Sequence, residues 1–274
     1  ADPTATELSP LDGSNYSAAY GVNGAGIAVG ESGDTVDTVA DANTVAVFWS
    51  AGAAEALPTD GLLPGGASAA FAVNDDGEIV GEAVNDDAGN TAAVYWAGSA
   101  TTPVILGNLP GGNFSSAYFI GADGRIVGES QNGDGQIQAV VWVPAVGVGF
   151  QAPVPLAAVA NQIASAAFGV DLNGRIVGEA ELADGIVHGI IWNANGAVAT
   201  TLGANTSAQA INNADRIVGY NAALTGSDFA AIWNGANTAD TKSIAAAFSH
   251  AYGLNDSSQI VGLAGSQAFA ALPQ

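Results

Sequence analysis

The stretch SSAYFIGADGRIVGES, residues 115–130, decides the fold, because the rest of the chain repeats it. Aligned on the Val-Gly step, the pattern occurs in six copies, and one glycine anchors each copy. These glycines are Gly30, Gly81, Gly128, Gly178, Gly219 and Gly262. Their spacings of 51, 47, 50, 41 and 43 residues are the period of a repeat architecture.

Each copy predicts four short antiparallel strands. In the second copy the strands are expected over 67–73, 78–83, 91–97 and 103–109, with Asn-Asp-Asp-Gly at 74–77 as the first turn. Asn, Asp and Gly tolerate the left-handed backbone that such a hairpin turn requires. Four strands in this period predict the blade of a β-propeller. A β-helix would have a shorter period, and a helical solenoid would have a 3.6-residue apolar rhythm that this sequence lacks, so neither is expected.

The sequence therefore predicts an all-β, single-domain protein over residues 1–274, built as a six-bladed β-propeller. The sixth copy stops after three strands, whereas residues 4–11 align with the fourth strand of an earlier copy, Leu8 with Leu106 and Leu11 with Leu109. We expect this N-terminal strand to complete the last blade and close the ring. The predicted blades span about 17–59, 67–109, 114–156, 163–202, 207–244 and 248–272.

Composition restricts the partners. The net charge of -22 reflects only four Lys and Arg residues against 26 acids, and Cys is absent. Such a field repels polyphosphate and anionic membranes, so we expect no nucleic acid partner. The sequence holds no run of 18 apolar residues, and no membrane insertion is expected. Glycans, cations and the surfaces of proteins or cells remain as partners of a chain that we expect to be monomeric.

A tryptophan ends the third predicted strand in five copies, where a packing wedge between sheets is the simplest interpretation. These residues are Trp49, Trp96, Trp142, Trp192 and Trp233. The unit A-x-x-I-N-x-x-G-x-I-V-G, then x-A-F-x-W, then L-G-x-L-P-G-G, resembles the HAF extracellular repeat. Only His188 keeps a histidine near the position of the His-Ala-Phe motif. The resemblance implies a secreted or cell-surface protein and implies no known reaction.

Charged residues recur at two fixed positions of the repeat. Arg125, Arg175 and Arg216 share one position, and a glutamate follows the Val-Gly step in four copies. These glutamates are Glu31, Glu82, Glu129 and Glu179. Such reuse favours ladders in which an arginine meets a glutamate of a neighbouring blade. The alternative is a ring of carboxylates that holds cations.

The loops between the second and third strands are the most acidic and least repetitive part of the chain. They carry Asp34, Asp37, Asp41, Asp86, Asp87, Asp134, Glu181, Asp184 and Asp228. Variable, charged loops on a rigid scaffold predict a ligand-binding face. We assign to it Asp34, Asp37, Asp86, Asp87, Asp134, Asp184, Asp228 and also His250, which could face the axial mouth, while His188 is expected to pack in the core.

Calcium is the cation that such oxygen-rich loops suit, and its candidate ligands are Asp34, Asp37, Asp41, Asp86 and Asp87. None of the loops matches an EF-hand pattern, so no cofactor is required by the sequence. Two histidines and no cysteine argue against a zinc site.

No nucleophile or nucleotide-binding motif is present in the sequence. The leading hypothesis is a secreted or cell-surface, non-catalytic binding or adhesion module that presents its acidic loop face to a glycan, a cell-wall component or a protein. One alternative is an extracellular carbohydrate-active enzyme that uses two carboxylates at the propeller mouth. Another is a structural surface protein stabilised by cations or salt.

Overall fold

The structure of the chain, a computed structural model, describes residues 7–34, 44–145, 149–222, 228–235, 237–247 and 249–271. Its described elements are 23 β-strands in six antiparallel sheets of three or four strands. These sheets are the blades of a β-propeller, so the predicted fold class is confirmed. Within the described residues, no helix is long and apolar enough to cross a membrane.

The chain divides into two compact units. Unit 1 comprises Ala1–Ile126 and Trp142–Pro153. Its first sheet, in strand order, is β1 (Tyr16–Val22), β2 (Ala28–Gly33), β3 (Val45–Ser50) and β4 (Ala53–Ala56). Its second sheet is β5 (Ser68–Val73), β6 (Ile79–Val84), β7 (Thr91–Trp96) and β8 (Val104–Ile105).

Unit 2 comprises Val127–Val141 and Val154–Gln274, so the third sheet is divided between the units. The third sheet contains β9 (Ser115–Ile120), β10 (Ile126–Gln131), β11 (Ile137–Trp142) and β12 (Val154–Pro155). The fourth contains β13 (Gln162–Val170), β14 (Ile176–Leu182), β15 (Val187–Trp192) and β16 (Val198–Ala204). The fifth contains β17 (Thr206–Ile211), β18 (Arg216–Asn221), β19 (Phe229–Asn234) and β20 (Asn237–Ala247). The sixth, in its described part, contains β21 (Ser249–Leu254), β22 (Ile260–Ala264) and β23 (Gln267–Ala271).

The anchor glycine of each repeat is required by a close backbone approach between the first two strands. A Cβ added at Gly81 would lie 1.9 Å from the carbonyl oxygen of Ala69 on the paired strand. The same clash arises at Gly30, Gly178, Gly219 and Gly262. The Val-Gly step therefore repeats because only glycine leaves room for the neighbouring strand.

A β-bulge lies at this same place in the first strand. The register of β5 against β6 shifts between Ala70 and Ala72, which leaves Phe71 outside the regular pairing. Equivalent shifts leave out Tyr20, Phe168, Gln209 and Tyr252. Because a bulge re-aims the side chain of its extra residue, the first strand presents one large side chain at a fixed point of these blades.

The tryptophans of the third strands are buried against the segment that follows the preceding sheet. The indole nitrogen of Trp96 donates to the carbonyl oxygen of Pro58 at 2.9 Å, and Trp192 donates in the same way to Ala157. A second kind of hydrogen bond between blades uses a buried hydroxyl: Ser68 Oγ accepts from the backbone N–H of Ala46. Both kinds of hydrogen bond satisfy polar groups that would otherwise be buried without partners.

The N-terminal segment packs against the first blade as the segment around Pro58 packs against the second. Leu8 and Leu11 pack against Ala28, Val47 and Trp49. Trp49 Nε1 donates to the carbonyl oxygen of Ser9 at 2.8 Å, as Trp96 does to Pro58. Residues 1–6 lie outside the described residues, so closure of the last blade by a strand over 4–11 stays a prediction, as do the single domain and its blade boundaries.

The hairpin turns between first and second strands also contact the turns of neighbouring blades. In unit 2 the backbone N–H of Leu172 donates to Asn213 Oδ1, and that of Asn213 donates to Asp256 Oδ1. Arg175 pairs with Asp171 of its own turn at 2.7 Å and with Asp215 of the next. The partners of Arg175 are therefore aspartates in the hairpin turns, whereas the sequence predicted a glutamate of a neighbouring blade.

Candidate ligand-binding site

A polar and aromatic cluster in unit 2 is centred on His250, the second residue of β21. Its Nε2 lies 2.8 Å from Asp228 Oδ2, and its Nδ1 lies 3.1 Å from the hydroxyl oxygen of Tyr252. An ionised carboxylate can only accept, so Asp228 fixes the tautomer that carries hydrogen on Nε2. In the neutral imidazole, the Nδ1 lone pair accepts from the Tyr252 hydroxyl. Asp228 and Tyr252 together hold the imidazole at both nitrogens.

Tyr220 supports the imidazole from the preceding blade. Its ring stacks on the His250 ring with centroids 4.3 Å apart and an interplanar angle of 21°. Burial raises the pKa of the Tyr220 phenol to about 12, and the negative charges of Glu179 and Asp228 act in the same direction. Tyr220 is therefore a neutral phenol at ordinary pH, and it gives the imidazole a rigid floor.

A second polar group beside Tyr220 consists of Ser207, Gln209 and Glu179. The side-chain amide of Gln209 donates to Ser207 Oγ at 2.6 Å. Burial raises the pKa of the Glu179 carboxyl, against a hydrogen bond from Ser207 that lowers it, and the charge of Glu181 adds to the rise. Glu179 Oε2 is buried and has no hydrogen-bond partner among the described residues.

The cluster lies where the fifth and sixth copies depart from the repeat. Tyr220 stands at the position of the four glutamates that follow the Val-Gly step, and Gln209 stands where five copies have an aromatic residue. His250 replaces a serine or alanine at its position. These three positions lie on neighbouring first and second strands. Three departures that are separate in sequence are therefore brought together in one site. The sequence predicted Asp228 and His250 as binding residues but not Tyr252, Tyr220, Ser207 or Gln209. Of these, Tyr220 and Gln209 could have been found as departures from the repeat.

The site presents an aromatic face and a carboxylate to solvent. Tyr252 is 47% exposed, and its ring meets the imidazole edge-on at 5.8 Å. The Asp228 side chain is 41% exposed. An exposed phenol ring can stack on the apolar face of a ligand, while the carboxylate accepts hydrogen bonds from hydroxyl groups beside it.

Most of the other acids predicted for a binding face serve their own loops. Asp86 accepts from the backbone N–H groups of Ala88 and Asn90 and from the Asn90 amide, and these bonds lower its pKa. Asp184 accepts from the backbone N–H of Ile186 in its own turn. Asp34, Asp87 and Asp134 are exposed, and Asp37 and Asp41 lie outside the described residues. Of the predicted set, only Asp228 and His250 contact each other in the described structure.

The remaining predicted residues lie in the scaffold. His188 is half-buried on β15, opposite Ala180 and Ala204. Arg125 pairs with Asp123 at 3.4 Å, and the backbone N–H of Arg216 donates to Asn212. Glu82, Glu129 and Glu179 are half-buried on the second strands of their blades. Within the described ranges no three or more His, Asp or Glu side chains form a group that could hold a metal ion, and calcium binding stays a prediction.

Comparison with known proteins finds similarity of fold alone. No family model matches this chain, and no curated protein matches it. A crystal structure of a triple arginine-to-alanine variant of AofleA from Arthrobotrys oligospora is similar with a TM-score of 0.48 and 13% identity, over 93% of this chain and 82% of that one. The Aleuria aurantia lectin AAL, an asparagine-to-glutamine variant in complex with Fucα1-6GlcNAc, is similar with a TM-score of 0.44 and 12% identity, over 97% and 98% of the two chains. At these identities a ligand is not transferred from one chain to the other.

Proposed function

We propose that this protein is a secreted or cell-surface, non-catalytic module that binds a glycan at the Tyr252–His250–Asp228 site. The observation that carries the proposal is an exposed tyrosine ring held beside an exposed carboxylate by a histidine that both of them contact. A sugar ring has an apolar C–H face and a rim of hydroxyls. Tyr252 suits the first and Asp228 the second.

Charge narrows the class of glycan. The chain carries a net charge of -22, and the acids Asp228 and Glu179 lie at or near the site. Sulfated or uronate-rich chains would be repelled by this field. The ligand is therefore a neutral glycan or one with amino groups, and not a polyanion.

The contacts of His250 suit a positioning role in this site. Its Nε2 contacts Asp228 and its Nδ1 contacts Tyr252. A general base takes a proton from a group within hydrogen-bond reach. The groups that His250 reaches are those of the site itself, so we assign to it the orientation of the two side chains that face solvent.

The test is a glycan array, followed by calorimetric titration of each ligand found. Tyr252→Ala should abolish binding and Asp228→Asn should weaken it, while Leu172→Ala, an exposed apolar residue elsewhere in unit 2, should bind like the wild type. Circular dichroism melts show whether each variant is folded. Binding that survives Tyr252→Ala in a folded protein would refute the site.

A second candidate is a carbohydrate-active enzyme, which the two acids around Tyr220 favour. Glu179 has a raised pKa, as a general acid does, whereas the Asp228 carboxylate is exposed. Incubation with the glycans that bind, followed by an assay for new reducing ends, distinguishes the two functions. Turnover that Glu179→Gln abolishes would establish the enzyme; binding without turnover supports the module.

The secreted or surface location, the HAF resemblance and the monomeric state belong to this proposal as well. Immunoblotting of culture medium, cell-surface and lysate fractions tests the location, and light scattering tests the monomer. For calcium, a melting temperature that is the same in EDTA and in millimolar CaCl₂ would argue against the predicted sites at Asp34, Asp37, Asp41, Asp86 and Asp87.

A further inference from the structure

A row of aromatic rings in unit 1 is separate from the residues of the proposed glycan site. The rings of Tyr20 and Phe71 have centroids 5.6 Å apart, and those of Phe71 and Tyr118 are 5.7 Å apart. Tyr20 and Phe71 are the bulge residues of successive blades, and Tyr118 holds the same repeat position in the third. Tyr20 is 50% exposed, and the other two are half-buried. The bulges therefore build a continuous aromatic surface that the fold does not cover completely.

A carboxylate is fixed at the Tyr20 end of this row. The hydroxyl of Tyr20 donates to Glu31 Oε1 at 2.8 Å, and that of Tyr16 donates to the same oxygen at 3.4 Å. Burial raises the pKa of the Tyr20 phenol, and the Glu31 charge raises it further, so the phenol stays neutral and remains a donor. The cluster of two tyrosines and one glutamate thus carries a negative charge.

The next blade adds a second carboxylate to the same region. Burial raises the pKa of Glu82, and the negative charge of Glu31 adds to the rise. The two acids therefore repel each other across the first and second blades. Arg125 is the only basic residue that the sequence places in unit 1, and it pairs with Asp123. Within the described residues, neither Glu31 nor Glu82 forms an ion pair with an Arg, Lys or His side chain.

We propose that the Tyr20–Phe71–Tyr118 row, with Glu31, is a binding site for an alkylammonium group, either free or on the surface of a partner. Aromatic faces attract a cation through their negative π-clouds, and a weakly hydrated alkylammonium loses less on leaving water than a metal ion does. Glu31 supplies the counter-charge, and the overall charge of -22 attracts such a ligand from a distance. A neutral apolar ligand would contact the aromatic rings but would not be attracted by the charge of Glu31.

The test is titration of the full chain, with ¹³C-labelled aromatic side chains, by tetramethylammonium chloride and by tert-butanol, a neutral molecule of similar size. Ionic strength is held constant with NaCl. The site predicts saturable shifts of the Tyr20, Phe71 and Tyr118 resonances with the cation and much weaker, non-saturating shifts with the alcohol. Equal responses to both molecules, or a linear response to the cation, would overturn the proposal.

Two variants locate the binding. Glu31→Gln removes the charge without changing the shape, and should weaken tetramethylammonium binding about fivefold. Phe71→Leu removes the central π-face and keeps an apolar side chain, and should weaken it similarly; unchanged affinity in both variants would refute the site. Glu31→Gln should leave glycan binding at Tyr252 unchanged, so failure of one proposal is distinguishable from failure of the other. If Phe71→Leu does not fold, Glu31→Gln and the comparison with tert-butanol still decide.

Discussion

The indole nitrogen of Trp96 donates a 2.9 Å hydrogen bond to the carbonyl oxygen of Pro58, in the segment that leaves the preceding sheet. The bond joins a fully buried side chain of one blade to the backbone that enters from the blade before it. Trp233 has the corresponding place in the fifth blade, but its buried Nε1 has no hydrogen-bond partner among the described residues. The carbonyl of Gly203, at the repeat position of the Gly107 carbonyl that accepts from Trp142, accepts from the Thr206 hydroxyl.

This difference predicts unequal effects of the same substitution. Trp96→Phe should lower the free energy of unfolding by about 1–3 kcal/mol more than Trp233→Phe, because only the first change removes a hydrogen bond of the indole. Both changes remove similar volume, so the cavity cost is matched. Urea denaturation of the two variants measures the difference, and equal losses would show that the indole bond adds nothing to stability.

The close approach at Gly81 gives a second prediction. A Cβ there would lie 1.9 Å from a backbone oxygen, so the two strands must separate to admit it. Gly81→Ala should cost about 3 kcal/mol or more. Gly98→Ala, where the nearest atom would be 3.9 Å away, should cost less than about 1 kcal/mol. Similar melting temperatures for these two variants would contradict the reason given for the repeated Val-Gly step.

The sequence predicted the parts of the fold that repeat. Six copies of one pattern indicated six blades, and turn residues such as Asn74 and Gly77 indicated the hairpins, because local backbone preferences fix these features. The bulge at Phe71 was not predicted. It lies beside the close approach of Gly81 to the backbone of the paired strand, and this packing is visible only once the two strands are paired.

The candidate site was harder to predict because it is built from exceptions. The six aligned copies are most informative about the residues that they share, such as the recurring glutamates. Tyr220, Gln209 and His250 instead differ from the residues at the same positions of the other copies. The acidity of the loops was also a poor guide, since a short polar loop needs carboxylates for its own turns. Asp86 illustrates this, because its three hydrogen bonds are all made within its loop.

The ion pair of Arg175 gives a third prediction. Asp171 has a fully buried side chain whose Oδ2 accepts from Nε of Arg175 at 2.9 Å and from its Nη2 at 2.7 Å. Arg175→Met should destabilise the protein by about 3–5 kcal/mol, because it leaves this buried carboxylate without its partner. The double variant Arg175→Met, Asp171→Asn should recover part of the loss, because it removes the unpaired charge.

Arg125→Met provides the control for this pair. Arg125 occupies the same repeat position, but its 3.4 Å pair with Asp123 joins side chains that are 31% and 29% exposed. The control should cost about 0–1 kcal/mol, since water screens an exposed pair. If chemical denaturation gave the same loss for Arg125→Met as for Arg175→Met, burial would not be the reason for the effect.

The raised pKa of Glu179 predicts how stability depends on pH. An unfolded glutamate titrates near its ordinary pKa of 4.5, whereas burial keeps the proton on the folded carboxyl to higher pH. Below pH 4.5 both states hold the proton, and the group contributes no difference. As pH rises, the unfolded chain releases its proton first, so the unfolded state gains stability until pH passes the folded pKa.

Glu179→Gln removes this ionisation and keeps the shape. The melting temperature of the variant should equal that of the wild type near about pH 4 and exceed it near about pH 8, because only the wild type must then bury a charge. Glu55→Gln, at an exposed position on β4, should show no such crossover. Calorimetric melts across this range measure the difference, and a variant that is less stable than the wild type at high pH would mean that the Glu179 charge is stabilised in the fold, which would contradict the effect assigned to its burial.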